Sequence, residues 1–69
     1  MERVAVESSN IKEAGYDPGS NTLELMFSDG RVYQYFDVPP HIYTELVNAP
    51  SPGQYFHASV RGSYRYARM

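Results

Sequence analysis

The stretch Thr22–Pro39, TLELMFSDGRVYQYFDVP, decides the fold. Leu23, Leu25 and Phe27 alternate with other residues, the period-2 signature of a half-buried strand. Ser28-Asp29-Gly30 then turns the chain, and Tyr33 and Tyr35 alternate along a return strand that Val38-Pro39 ends. The turn decides which face the two tyrosines occupy. A two-residue Asp29-Gly30 loop would set Val32, Gln34 and Phe36 on the side of Leu25. A three-residue loop, with Ser28 and Asp29 helical and Gly30 left-handed, is a type I turn plus bulge, and glycine takes the left-handed position without steric penalty. That register sets Tyr33 opposite Leu25 and Tyr35 opposite Leu23. It is preferred because the alternative buries Gln34 among leucines with no evident partner. The tyrosine hydroxyls would then run towards the sheet edge in search of polar partners.

Upstream, Arg3 to Glu7 reads as a short strand with Val4 and Val6 on one face, and Ser8-Ser9-Asn10 breaks it. Ile11 is expected to plug into the core. Glu13 to Asp17 reads as a further strand, joined to the Thr22 strand by the turn residues Asp17-Pro18-Gly19-Ser20-Asn21. Downstream the period changes. Pro39-Pro40 opens a helix carrying a stripe of Ile42, Tyr43, Leu46 and Val47, and Asn48-Ala49-Pro50 ends it. Ser51-Pro52 reads as an N-cap with proline at the first helical position, and Gln54 is placed for a capping box. Phe56 and Val60 share a face of this second helix, which Gly62 stops. Ser63 to Met69 is a tail or a final short strand. The expected fold is therefore α+β: a small antiparallel three- to four-stranded meander covered by two short helices. Leu23, Leu25, Phe27, Tyr33, Tyr35, Ile42, Leu46 and Phe56 are its expected core.

A chain of 69 residues fits one domain, residues 1–69, burying only about 60% of its unfolded surface. It has no cysteine, which removes disulfides, thiolate metal sites and a thiol nucleophile. No segment approaches the roughly 20 apolar residues that span a bilayer, and Met1-Glu2-Arg3-Val4 does not open a signal peptide, so a cytoplasmic, non-membrane protein is expected. The net charge is −2, unevenly placed. All eight acids lie between Glu2 and Glu45, giving residues 1–50 a charge of −5 and residues 51–69 a charge of +3.

Chemistry-bearing residues are sparse. His41 and His57 form no metal-ligand pattern, and His57 and Ser59, two apart, fall on different helix faces. No metal, cofactor or catalytic residue is expected, and both histidines read as peripheral. The run Arg61-Gly62-Ser63-Tyr64-Arg65-Tyr66-Ala67-Arg68 interleaves cations with aromatics, as single-stranded nucleic-acid sites do. Arg61, Arg65 and Arg68 are its candidate phosphate contacts, and Tyr64 and Tyr66 its candidate stacking rings. The acidic body and a pI near 5.5 oppose a strongly basic footprint. A protein-docking module with no nucleic-acid binding is the alternative.

Taken in order, Val6, Ser8-Ser9, Ile11, Gly15-Tyr16-Asp17, Leu23-Glu24-Leu25, Phe27, Gly30, Tyr33-Gln34-Tyr35, Val38-Pro39, Ala49, Ser51, Gly53, Tyr55-Phe56, Val60-Arg61 and Tyr64 resemble the KTSC domain family. This short bacterial module is named for the C-terminus of some lysyl-tRNA synthetases and also stands alone. Its hallmark Tyr-x-Tyr falls at Tyr33 and Tyr35, and the resemblance covers nearly the whole chain. His57, where the family pattern has asparagine, and Pro52, within the Ser-x-Gly step, depart from it. The resemblance implies a non-catalytic accessory module with RNA or a protein as partner, and a monomer is the expected state.

Overall fold

The computed structural model describes all residues, Met1–Met69. Five strands, β1 (Arg3–Ala5), β2 (Ile11–Asp17), β3 (Thr22–Phe27), β4 (Val32–Tyr35) and β5 (Tyr66–Arg68), form one antiparallel sheet in chain order. Two helices, α1 (Pro40–Asn48) and α2 (Pro52–Ser59), lie between β4 and β5 in sequence. The α+β class is as the sequence implies. The strand count corrects the three to four expected: β4 still had a free edge, and Tyr66–Arg68 pairs there, the strand of the two readings open for Ser63–Met69. Flanking backbone bonds fix the addition, from the Phe36 amide to the Arg65 carbonyl (2.9 Å) and from the Met69 amide to the Val32 carbonyl (2.8 Å).

The β3–β4 register is the one the three-residue turn demands. Gly30 has φ +92°, its amide donates to the Phe27 carbonyl, and the Phe27 amide donates to the Arg31 carbonyl. Leu25 accordingly faces Tyr33 and Leu23 faces Tyr35. Asp29 completes the turn, accepting from the Arg31 amide at 3.0 Å and from its Nε at 2.6 Å. The amide bond first, and the guanidinium after it, hold this exposed carboxyl below its usual range.

In β2 the pairing shifts between Ile11 and Glu13, where Lys12 is the extra residue of a bulge. The bulge lets Ile11 enter the core while Glu13 faces the other way; without it the two would share a face. Ile11, Ala14, Leu23, Leu25, Val38, Leu46 and Val60 are fully buried, with Tyr35, Ile42 and Phe56 nearly so. Phe27 and Tyr33, expected in that set, are only half-buried and pack on its margin. Val4 is 49% exposed, because it stands on the outermost strand. The Ser51 hydroxyl caps α2 by accepting from the Gln54 amide. One turn escapes sequence reading: Asp37 is left-handed (φ +57°), bending the chain so that Val38 enters the core.

The far face of the sheet carries no helix and closes with polar side chains. Arg3, Gly15, Glu24, Gln34 and Ala67 stand in one row across it. Arg3 Nε reaches Glu13 at 2.9 Å, Arg3 Nη1 reaches Glu24 at 2.8 Å, and Gln34 Nε2 donates to Glu24 at 2.8 Å. Gln34 thus finds its partner on the face that the register gives it. Gly15 lies under this crossing: a Cβ there would stand 2.5 Å from the Glu2 carbonyl oxygen and 3.0 Å from Arg3 Cγ.

Two substitutions test this architecture by urea denaturation. Gly30→Val is expected to destabilise by about 1 kcal/mol or more, a purely conformational loss because nothing lies within 4 Å of a Cβ placed there. Tyr16 stacks on Tyr43 (5.6 Å between centroids) and its hydroxyl donates to the carbonyl of the buried Val38. Tyr16→Phe is expected to lower stability by about 1–2 kcal/mol through that lost donor.

Candidate functional site

The helices do not cover all of the face they pack on. α1 lies over β2, where Tyr43 meets Tyr16, and α2 sets Phe56 edge-on against Phe27 (5.4 Å) and Tyr35 (5.6 Å). Strand β5 extends the same face past α2 without gaining a helix of its own. Along that margin Tyr33, Tyr35 and Tyr66 form a triangle of rings, with centroids 5.7–6.4 Å apart. Tyr66 is 63% exposed, which follows from its lying opposite Tyr35 on the outermost strand. Between this strip and α2 runs a groove of about 690 Å3, whose far end reaches Asn10 and the β3–β4 turn.

Charge on the groove is sorted by pairing. Arg31, on its wall, is held by Asp29. Arg61, also on the wall, has no carboxylate partner; its Nη1 lies 3.2 Å from His57 Nδ1. Arg68 stands opposite Tyr33 in register, so it shares the aromatic face, and it too has no carboxylate partner. Two unneutralised guanidinium groups therefore flank an aromatic strip in a chain whose net charge is −2.

The residues of the C-terminal run separate accordingly. Arg61 and Tyr66 line the groove, and Arg68 stands opposite Tyr33 on the same sheet face. Tyr64 is half-buried and packs on the core, which suits a structural ring. Arg65 goes elsewhere: it pairs with Asp37 at 2.8 Å and lies over the Phe36 ring at 5.5 Å. It is adjacent to no acid in sequence, yet the left-handed bend at Asp37 supplies one. His57 lines the groove instead of standing apart from it, whereas His41 is exposed at the start of α1. Tyr33 and Tyr35 are more than core, since each also lines the groove. The signal was present in the sequence: a tyrosine on a core face carries a hydroxyl that needs somewhere to go.

Tyr16 and Tyr35 answer that need differently. The Tyr16 hydroxyl has the Val38 carbonyl. Tyr35 is 6% exposed and its hydroxyl makes no hydrogen bond within the protein, yet no buried side-chain oxygen is left without a partner. Its Oη therefore opens into the groove. Burial, then the neighbouring Tyr33 and Tyr66, push its pKa up to about 12, against an opposing pull from Arg61. No His, Asp and Glu cluster is arranged to hold a metal ion, and no helix is long and apolar enough to cross a membrane.

Known proteins share this chain's pattern. A model of the KTSC domain family matches residues 7–64. The lysine–tRNA ligase of Nostoc sp. is 46% identical over 63 residues, 91% of this chain but 11% of the ligase. The chain thus spans about a tenth of the ligases that it matches. A Stutzerimonas stutzeri protein is 41% identical over 70 residues, covering 100% of this chain and 99% of its own length. The crystal structure of a KTSC domain protein from Yersinia pestis superposes with a TM-score of 0.93 at 33% identity, over 99% of this chain and 96% of that one.

The position of Tyr35 sets an alkaline limb to stability. The unfolded chain releases this proton near the ordinary 10.0 and the folded chain near about 12, so the folded state holds it more tightly. That contribution is fully present below the lower value and is lost as pH rises through the higher one. Melting temperatures across this window are expected to fall more steeply for the wild type than for Tyr35→Phe, and parallel curves would contradict the assignment.

Proposed function

The chain belongs to the KTSC domain family, and we propose that it is a non-catalytic accessory module that holds single-stranded RNA in the groove between α2 and the tyrosine strip. The observation that carries this reading is the uncovered Tyr33, Tyr35 and Tyr66 face flanked by the unpaired Arg61 and Arg68. Sites for single strands join stacking rings to cations that follow the backbone, and need no base-specific code. Tyr66 offers the most accessible ring, and Arg61 and Arg68 offer the phosphate contacts. Attachment of a matching segment to lysine–tRNA ligases fits an accessory role, one in which the module adds an RNA contact to a larger enzyme. The nucleic-acid surface in this reading is Arg61, Tyr66 and Arg68 with Tyr33 and Tyr35. Tyr64 supports it from the core, and Arg65 is spent on Asp37. All 69 residues act as one unit.

A protein-docking role draws on a different place, the outer edge of β1, whose Val4 side chain is exposed. Salt separates the two, because phosphate contacts weaken steeply with it.

Titration of labelled single-stranded RNA at low salt is expected to show weak binding with a log–log salt slope of about −1.4, from about −0.7 for each of two phosphates neutralised. Arg61→Ala with Arg68→Ala should abolish binding without shifting the melting temperature, whereas Arg65→Ala should leave affinity unchanged. Tyr66→Ala should weaken binding by about 1–3 kcal/mol. Absence of binding at low salt removes the RNA reading and leaves the docking module.

A further inference from the structure

A buried tyrosine hydroxyl is normally tied to a protein acceptor, as that of Tyr16 is. Tyr35 differs: the residue is 94% enclosed, but its Oη is not itself buried and opens into the groove with no protein partner. The residues that bear on it electrostatically are Tyr33, Tyr66 and Arg61, all lining the same groove. Tyr33 and Tyr35 are stacked at 24° along one strand and Tyr66 stands across from Tyr35, so the three hydroxyls project from one sheet face. Phenol hydroxyls are good donors to anionic oxygens, and bonds to charged acceptors are about twice as strong as neutral ones. A guanidinium adds a planar, permanently charged donor set matched to phosphate. Arg61 is available for this, because its guanidinium makes a single hydrogen bond, to an imidazole nitrogen of His57.

We propose that the groove seats one phosphate group, with the Tyr35 hydroxyl donating from its inner wall and the Arg61 guanidinium closing over it. This deepens the RNA-binding reading and rests on it for the ligand's identity: the phosphate is a backbone diester when the ligand is a strand, and a monoester when it is a free or terminal nucleotide. Tyr35 remains protonated, and so a donor, throughout the neutral range, since its pKa lies near about 12. The arrangement assigns different work to the two ends of the strip. Tyr66 offers its exposed ring face to a base, while Tyr35, whose ring is buried against Phe56, offers only its oxygen.

Amide NMR titration of the 69-residue chain with inorganic phosphate, uridine monophosphate and uridylyl-uridine tests this directly. The monophosphate presents only a monoester and the dinucleotide only an internal diester. Each is expected to shift amides at Tyr33, Tyr35, Arg61 and Tyr66. Tyr35→Phe, which removes one oxygen and keeps the ring, should weaken each by about tenfold, as the loss of one hydrogen bond to a charged group implies. Its melting temperature at neutral pH should match the wild type, because the oxygen has no partner to lose. Tyr16→Phe, altered outside the groove, should bind phosphate as the wild type does. Binding of monoester and inorganic phosphate without the dinucleotide would support the seat while removing the RNA-strand reading. Equal affinity of Tyr35→Phe and wild type for all three ligands, or no phosphate-induced shift in the groove, would overturn the seat. Dinucleotide binding under that result would leave the RNA reading standing on its other contacts.

Discussion

The pleat of a strand gives its side chains a period of two, so a one-residue slip between β3 and β4 would move every side chain of β4 to the opposite face. Everything else in this protein depends on the register being held. Gly30, left-handed where a β-branched residue would be strained, fixes a three-residue turn, and that turn aligns Leu23 with Tyr35 and Leu25 with Tyr33. The same choice carries Gln34 to the far face, where Glu24 accepts its amide and Arg3 neutralises Glu24. One glycine angle thus satisfies both an apolar face and a polar one. The two agree, which is the mark of a sequence that specifies a single pairing.

The sheet is covered by two short helices on one side and by its own side chains on the other. On the open side a row of Arg3, Glu24 and Gln34 lies flat over Gly15, and the lack of a side chain there lets the arginine stem cross the strand. The partly open Arg3–Glu13 pair adds little net stability, whereas the buried Glu24 carboxylate is fixed by two donors, Arg3 and Gln34. On the helical side the fifth strand makes the face wider than its cover. The margin could have been apolar, at the risk of association. It is instead built of tyrosines, which keep a ring against the core and a hydroxyl towards water. A groove lined by aromatics and bounded by arginines results from the same mismatch between sheet width and helix cover.

Much of the fold was legible. Alternation located β3 and β4, turn chemistry located the Asp17–Asn21 loop, and the proline steps at Pro40 and Pro52 located both helix starts. These are local signals, set by backbone angles and side-chain periods within a few residues. The site was legible in part. Arg61, Tyr66 and Arg68 stood out as cations and rings close in sequence, but the same reasoning grouped Arg65 with them. In an extended strand neighbouring residues point to opposite faces, so a run read as one basic patch is divided between two surfaces. His57 reads as peripheral in sequence and reaches the groove only because α2 packs beside the tyrosine strip, while Arg31 stands two residues before Tyr33 and lines the groove with it.

The sequence by itself determined the α+β class, the register of the central hairpin, most of the buried set and the membership of the KTSC domain family. Those properties follow from the 2.0- and 3.6-residue periods and from residues whose backbone preferences are strong. Tertiary structure alone decided that Tyr66–Arg68 joins the sheet, that Asp37 takes a left-handed angle and captures Arg65, and that the Tyr35 hydroxyl faces a groove with no protein acceptor. Each depends on contacts between segments far apart in the chain. Pairing of β5 with β4 is a closure over two helices, and its stability comes from a free strand edge that no local window of sequence contains.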